Sequence, residues 1–205
     1  MTANLLNKID VAFKYYTGWS IYDDNPHFYI DSHQLNDSFS ELINEINDNI
    51  DTLIYVKEDM PLKVFVLKDY VIRVCLSSLY YVKYNKIFNL IREWRHSNLE
   101  SIHLISDIGK YVIIVSKRVE PLIVNNNINK NINIDFEKLY YDITTVINDL
   151  KDINAVHGDV SLDNIGYDSE LDKYILFDYD KFKMNESSSI DYHKLEVSLQ
   201  FYMNR

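Results

Sequence analysis

The spacing of apolar residues changes along the chain and divides it into three parts. Within residues 1–50 apolar positions recur at helical spacing from Ser38 to Ile50, and Ser38 with Glu41 suits a capping box. Residues 51–116 hold short apolar runs separated by turn residues, which is typical of β-strands. Residues 117–205 contain longer stretches at helical spacing. We therefore predict an N-terminal extension over 1–50 and two structural parts over 51–116 and 117–205.

The middle part is predicted to be an antiparallel sheet with one helix. The predicted strands are Leu53–Val56, Lys63–Leu67, Tyr70–Leu76, Ile102–Ile105 and Tyr111–Val115, with turns at Glu58–Pro61 and Asp107–Lys110. The predicted helix, Tyr80–Trp94, has an apolar face of Val82, Ile87, Leu90, Ile91 and Trp94. Short connections between the strands favour antiparallel pairing.

The last part combines two helices with a hairpin, so the predicted fold class is α+β. Apolar spacing predicts helices over Asp135–Leu150 and Asp191–Met203, and the Asn-rich segment Asn125–Asn133 is predicted to be a loop. The predicted hairpin strands are Asn164–Tyr167 and Lys173–Phe177.

Composition and charge narrow the range of partners. The chain has 205 residues, 47% hydrophobic and 25% charged, with a formal net charge of −10. Such a chain repels phosphate backbones and anionic lipids, so we expect no nucleic-acid or membrane partner. The single cysteine, Cys75, is expected in a buried strand. The sequence has no signal-peptide or transmembrane pattern, so we expect a cytoplasmic protein, in the host cytoplasm if the chain is viral or from an intracellular parasite.

One segment carries the candidate chemistry. It reads His-Gly-Asp-Val-Ser-Leu-Asp-Asn from His157 to Asn164, and Asp178 follows at the end of an apolar strand. This order supplies an acid, an amide and a second acid. Phosphoryl transfer needs one carboxylate to orient the attacking hydroxyl and two oxygen ligands to hold magnesium at the nucleotide phosphates. Asp180, two residues after Asp178, is an alternative ligand, although a solvated turn residue is the simpler interpretation.

This segment resembles the catalytic loop and metal-binding loop of the protein-kinase-like superfamily. The resemblance implies a two-lobed fold with a small antiparallel β N-lobe over 51–116 and a shortened, mainly helical C-lobe over 117–205. It implies Asp159 as the catalytic base, Asn164 and Asp178 as Mg²⁺ ligands and His157 as a brace for the loop. Asp191, at the start of the last helix, would anchor the loop.

The same resemblance implies an ATP site. Arg73 stands where strand three of the family has a lysine, with Lys68 as the alternative if the strand is shifted. The segment from Ser116 to Leu122 resembles the hinge that meets the adenine edge, which makes Lys117 and Val119 nucleotide-binding candidates. ATP and Mg²⁺ are therefore the expected cosubstrate and cofactor.

Two loop residues leave the phosphate acceptor open. Gly158 stands where regulated protein kinases carry arginine, and the His-Gly-Asp order is common among aminoglycoside and choline kinases and in some divergent protein kinases. Ser161 fits neither the protein-kinase nor the small-molecule-kinase pattern. The acceptor is thus expected to be a hydroxyl of a protein or of a small molecule.

Three departures from the family support a second hypothesis. The turn Glu58–Pro61 has no glycine and two carboxylates, where the family usually has a Gly-rich loop. Arg73 replaces the lysine, and the two side chains differ in geometry. The glutamate that should pair with that lysine is missing, because Tyr84 or Asn85 occupies its position and Glu93 falls late.

The leading prediction is an ATP- and Mg²⁺-dependent phosphotransferase; the alternative is a pseudokinase that acts as a binding or inhibitory module. A third interpretation is an α+β protein whose motif is coincidental.

Overall fold

The computed structural model describes residues 54–55, 63–108 and 111–203. The predicted extension over 1–50 and the predicted turn Glu58–Pro61 lie outside the described residues. The described chain forms two compact units. The first contains the described residues up to Phe88 together with Ile102–Arg118, and the second contains Asn89–Ser101 and the chain from Val119 onward.

The first unit is built on a five-stranded antiparallel sheet. Its strands are β1 (Ile54–Tyr55), β2 (Lys63–Val66), β3 (Tyr70–Leu76), β4 (Ile102–Ile108) and β5 (Tyr111–Lys117). They lie in the order β1-β2-β3-β5-β4. The central pair, β3 and β5, is continuous from Tyr70–Lys117 to Leu76–Tyr111. Most residues of both strands are buried on both faces, including the polar pair Arg73 and Ser116, and the predicted burial of Cys75 is confirmed.

The turn predicted at Asp107–Lys110 does not begin at Asp107, and its residues 109–110 lie outside the described residues. Strand β4 continues through Asp107 and Ile108, and Ile108 pairs with Tyr111. The turn was predicted too early because Asp107 is polar. An exposed strand position can carry a charged side chain while its backbone remains paired.

The predicted helix contains a π-helical turn that changes its buried face. A short helical turn, Ser77–Leu79, leads into the π-helical segment Tyr80–Tyr84 and then into α1 (Asn85–Trp94). The extra residue per turn rotates the face that follows. The fully buried positions are therefore Tyr80, Tyr84, Phe88 and Ile91, whereas Val82 is 88% exposed. The prediction that Val82 belongs to the apolar face was wrong.

The second unit combines two long helices with short strands. From Val119 onward the described elements are β6 (Glu120–Pro121), β7 (Ile123–Val124), β8 (Asn127–Ile128), α2 (Phe136–Asp152), β9 (Ala155–Val156), a 3₁₀ turn (Leu162–Asn164), β10 (Ile165–Asp168), β11 (Lys173–Leu176), β12 (Lys183–Met184) and α3 (Ser189–Met203). The Asn-rich loop prediction missed the hairpin β7–β8. Asn125 and Asn126 form its turn at positive φ, a conformation that asparagine tolerates.

Helix α2 organises the core of this unit. Asp135 caps its N-terminus by accepting a hydrogen bond from the Lys138 amide at 3.0 Å. Its buried apolar residues are Leu139, Ile143, Val146, Ile147 and Leu150. The buried carboxylate of Asp142 accepts a hydrogen bond from the Tyr174 amide at 3.0 Å, so α2 and β11 are joined by a polar contact inside the apolar core.

None of the helices in the described ranges combines the length and apolar character needed to cross a lipid bilayer. The architecture confirms the predicted α+β fold with an antiparallel sheet in its N-terminal part.

Candidate active site

Two antiparallel strand pairs bracket the predicted catalytic and metal-binding loops. Strand β9 precedes the first loop and β12 follows the second, and they pair through Lys183 and Val156. The hairpin β10–β11 lies between the two loops and starts with Ile165 opposite Leu176. The start of the segment 157–164 therefore lies beside the end of the segment 177–182. The end of the first segment lies beside the start of the second.

The hairpin register brings Asn164 next to the segment that carries Asp178. The Phe177 amide donates to the Asn164 carbonyl at 2.9 Å, which extends the hairpin by one step. Asp178 follows immediately with φ 68°, a left-handed conformation that aspartate adopts more readily than most residues. The backbone of Asn164 thus pairs with the residue directly before Asp178.

Asn164 is oriented by the loop itself. Its amide nitrogen donates to the Asp159 carbonyl at 2.9 Å and lies 3.3 Å from Asp159 Oδ2. Because the nitrogen is engaged with the loop, the amide oxygen is the end of the side chain that can serve as a metal ligand.

Asp159 is held between two lysines. Lys181 Nζ lies 2.8 Å from Oδ2, and Lys194 Nζ lies 2.8 Å from Oδ1. Partial burial raises the pKa of Asp159, but the hydrogen bonds from both ammonium groups outweigh burial and hold the pKa below its ordinary value. The carboxylate is therefore ionised at neutral pH and can accept a hydrogen bond.

Asp191 anchors the loop from α3, as the resemblance implied. Its Oδ2 accepts the His157 amide at 2.8 Å and its Oδ1 accepts the Gly158 amide at 2.7 Å. The side chain is fully buried, and burial raises its pKa against the lowering effect of these two donors. One carboxylate thus satisfies two successive buried amides that lie directly before Asp159.

Gly158 is required by the shape of the loop. Its φ is 78°, and a Cβ at this position would overlap the carbonyl of Lys181. A side chain here would meet both backbone strain and a rigid neighbour. The absence of an arginine at this position therefore has a local structural cause in addition to any regulatory one.

His157 is completely buried beneath the loop. Its ring packs edge-on against Tyr179, with the ring centroids 5.4 Å apart. Neither ring nitrogen has a hydrogen-bond partner of regular geometry. Burial lowers the pKa of His157 to about 4, although Asp178, Asp159 and the Phe177 backbone act in the opposite direction. The neutral ring fits the bracing role that the resemblance implied.

The carboxylates of Asp159 and Asp178 act electrostatically on the same two residues, His157 and Lys181. Both raise the pKa of His157, and both raise the pKa of Lys181, for which the hydrogen bond to Asp159 is the main cause. Asp180 also acts on Lys181. Lys181 is therefore acted on by three aspartates, of which Asp159 is its hydrogen-bond partner.

A closed metal cage is absent from this part of the molecule. Across residues 54–55, 63–108 and 111–203, no three His, Cys, Asp or Glu side chains are grouped to hold a metal ion. This is compatible with magnesium, which proteins usually hold through one or two carboxylates together with the phosphates of a substrate.

The predicted nucleotide-binding residues belong to different elements of the fold. Arg73 is buried in β3 and donates to Ser116 Oγ at 2.8 Å, so it is not a solvent-facing strand residue. Its alternative, Lys68, is exposed in the turn between β2 and β3 and cannot take the strand position. Lys117 ends β5, and Val119 belongs to the second unit, where it packs against Gly166.

Three lysines were not identified from the sequence. Lys181 and Lys194 contact Asp159 from outside the motif, and no local spacing signals such a tertiary contact. Lys63 is almost fully buried on β2. Its alternation with the buried Phe65 could have placed it on an inward face, because residues i and i+2 of a strand share a face.

A cavity of about 390 Å³ opens beside Asp159. Its lining residues are Asp159, Ser161, Asp163, His193, Lys194, Val197, Ser198, Phe201 and Tyr202. The walls thus combine carboxylates, hydroxyls and one ammonium group with the aromatic residues at the end of α3.

The comparisons with known proteins bear on the fold alone. No protein-family model matches the chain, and no curated protein is detectably similar in sequence. The chain is similar in structure to WbdD, solved with the kinase inhibitor LY294002, with a TM-score of 0.54 and 12% identity over 74% of this chain and 37% of that one. The Cydia pomonella granulovirus kinase PK-1 aligns with a TM-score of 0.43 and 17% identity over 71% of this chain and 60% of that one. The chain therefore spans less than two thirds of either protein. The likeness to WbdD shows a protein-kinase-like fold.

Replacing Asp191 with alanine should strongly destabilise the protein. The change leaves two buried amides without their charged acceptor, and hydrogen bonds to charged groups contribute about 1.5–3 kcal/mol each. We expect a loss of about 3 kcal/mol or more in the free energy of unfolding, measured by urea denaturation. Glu196→Ala, an exposed site on the same helix, should change it by no more than about 0.5 kcal/mol. Equal effects of the two substitutions would contradict the anchoring role.

His157 should make the protein sensitive to acid between pH 6.5 and pH 4. Below pH 6.5 His157 becomes protonated in the unfolded chain, whereas in the folded chain it stays neutral until about pH 4. The free energy of unfolding therefore falls as the pH falls through this window. The full effect is about 3 kcal/mol. The His157→Phe variant keeps a planar ring that cannot be protonated. From pH 6.5 to pH 4 its free energy of unfolding should therefore fall by about 3 kcal/mol less than that of the wild-type protein. Parallel pH curves for the two proteins would refute the buried neutral histidine.

Proposed function

We propose that the protein is an ATP- and Mg²⁺-dependent phosphotransferase that transfers the γ-phosphoryl group to a hydroxyl. The observation that carries the proposal is the grouping of Asp159, Asn164 and the Asp178 segment by the β10–β11 register and the Asn164–Asp159 hydrogen bond. The protein-kinase-like fold raises the expectation that this group acts on a nucleotide.

The donor set fits a magnesium ion. Asn164 offers an amide oxygen and Asp178 a carboxylate, and hard oxygen ligands of this kind are the ones that Mg²⁺ prefers. When bound, the ion would neutralise charge on the nucleotide phosphates. Asn164 is pre-oriented for this role, because its amide nitrogen is already bonded to Asp159.

Asp159 would orient the attacking hydroxyl. Its pKa is held below the ordinary value by the two lysines, so it is ionised and presents oxygen acceptors. A weakly basic carboxylate suits a loose phosphoryl-transfer reaction, in which positioning matters more than early proton removal. The proton of the hydroxyl would pass to this carboxylate as its oxygen bonds to the γ-phosphorus, the bond from that phosphorus to the β,γ-bridging oxygen breaks, and ADP leaves.

The acceptor would enter through the cavity beside Asp159. A volume of about 390 Å³ is within the range of small-molecule sites and can also admit a protein side chain. We therefore leave the acceptor as a hydroxyl of a protein or of a small molecule. The cytoplasmic location and the absence of nucleic-acid and membrane partners remain predictions from sequence.

The pseudokinase is the second candidate function, and two contacts favour it. Arg73, in place of the family lysine, is engaged with Ser116 inside the sheet. Both oxygens of Asp159 already have lysine partners. A protein with these contacts could use the same fold as a binding or inhibitory module without turnover.

Asp178→Asn should abolish magnesium-dependent nucleotide turnover. The substitution removes the charged ligand while preserving size, so folding should be retained and turnover should fall by about 100-fold or more, as when a single charge-stabilising group is lost. Turnover is measured as phosphate release from ATP with and without Mg²⁺. Asp180→Asn is the matched control and should remain active. Full activity of Asp178→Asn, or equal loss in both variants, would exclude the assigned ligand.

Nucleotide binding separates the two candidate functions. A ligand at about 100 times its dissociation constant stabilises the folded state by about 2.7 kcal/mol. For a chain of this size that corresponds to an increase in Tm of about 5–10 °C. We expect this shift with millimolar ATP and Mg²⁺ in a thermal melt, and a smaller one in Asp178→Asn. An unchanged Tm in the wild-type protein would favour the binding module.

A further inference from the structure

Lys194 connects α3 to the catalytic loop at two points. Its ammonium group donates to the Gly158 carbonyl and lies 2.8 Å from Asp159 Oδ1. These two acceptors belong to successive residues of the loop. Lys194 therefore fixes the position of the Asp159 carboxylate relative to the backbone that carries it.

The helix that carries Lys194 is itself firmly held. Asp191, one turn earlier, and Leu195, the next residue, are both fully buried. Asp191 accepts the amides of His157 and Gly158, while Lys194 donates to the Gly158 carbonyl and the Asp159 carboxylate. A single helical turn thus binds both the donors and the acceptors of the loop.

The second lysine at Asp159 differs in its support. The Lys181 side chain is 60% exposed, whereas that of Lys194 is 32% exposed. Lys181 follows β11 on a loop and contacts Oδ2, the oxygen that also faces Asn164. Its exposed ammonium can move into solvent at little cost. Lys194, on a buried turn of helix, cannot leave as easily.

We propose that Lys194 is the positioning residue for Asp159 in the proposed phosphoryl transfer, holding Oδ1 so that Oδ2 is presented to the acceptor hydroxyl once Lys181 is displaced. The inference rests on the proposed function, because it assigns the orientation of the same carboxylate. Lys194 acts through Asp159 and not on the nucleotide. Its removal should lower kcat and leave the KM for ATP nearly unchanged.

Lys194→Met tests the inference directly. The substitution keeps the length of the side chain and removes the ammonium group. With ATP, Mg²⁺ and water as the acceptor, we expect kcat to fall by about 10- to 100-fold, as for a misplaced catalytic group. The KM for ATP should stay within about twofold, because Lys194 affects the chemical step through Asp159 and does not contact the nucleotide. Lys183→Met, an exposed lysine paired with Glu186, is the matched control and should retain both constants.

Restoring the ammonium group should restore the rate. In Lys194→Cys, alkylation by 2-bromoethylamine forms a carbon–sulfur bond with loss of bromide and leaves an aminoethyl side chain of lysine length. The native thiol should not react, because Cys75 is buried and burial raises its pKa to about 12. We expect treatment to recover most of the lost kcat, while treated wild-type protein keeps its activity.

The outcomes separate this inference from the proposed function. If the wild-type protein has no Mg²⁺-dependent turnover, the proposed function fails and the role of Lys194 fails with it. If the wild-type protein turns over ATP and Lys194→Met does so at the same rate, only the inference fails. A loss in Lys181→Met equal to that in Lys194→Met, or a loss that follows a lowered Tm and is not rescued by aminoethylation, would also overturn it.

Discussion

The carboxylate of Asp191 is the contact on which the geometry of the candidate site depends. It lies fully buried at the start of α3 and accepts two consecutive loop amides, from His157 and Gly158. A buried charge is costly unless its hydrogen bonds are satisfied, and a buried amide without an acceptor is costly as well. Here the amides satisfy the buried carboxylate and the carboxylate satisfies the amides, so separating the loop from the helix would leave both unpaired. The position of Asp159, one residue further on, follows from this pairing.

The local parts of the site were predictable because they follow from spacing. The acid–amide–acid order in Asp159, Asn164 and Asp178 needs only a hairpin between the two loops, and two short apolar strands separated by a polar turn indicate that hairpin. The role of Asp191 followed from the family resemblance. The strands of the five-stranded sheet were predictable for a similar reason, since short apolar runs bounded by turn residues indicate buried strands. Within that sheet Asp107 was an exception, because a single exposed charge resembles a turn.

Other features could not be read from spacing. The π-helical turn at Tyr80–Tyr84 changes the helical period for only five residues, so the apolar pattern places Val82 inside when it is outside. The lysines at Asp159 come from two elements remote in sequence, and their contacts depend on how α3 and the β11–β12 connection pack. The hairpin β7–β8 depends on two asparagines at positive φ, which composition alone classified as a loop.

The conformation of Gly158 explains why the two loops behave as one structure. Its positive φ brings the catalytic loop against the Lys181 carbonyl, at a distance that leaves no room for a Cβ. The side chain of the same Lys181 binds Asp159, so the metal-loop segment contacts the catalytic loop through both backbone and side chain. Strands β9 and β12 then pair just outside these contacts and prevent the segments from diverging. A larger residue at position 158 would clash with the Lys181 backbone and force the two loops apart. The glycine therefore sets how closely the catalytic loop approaches the metal-loop segment, although it carries no functional group.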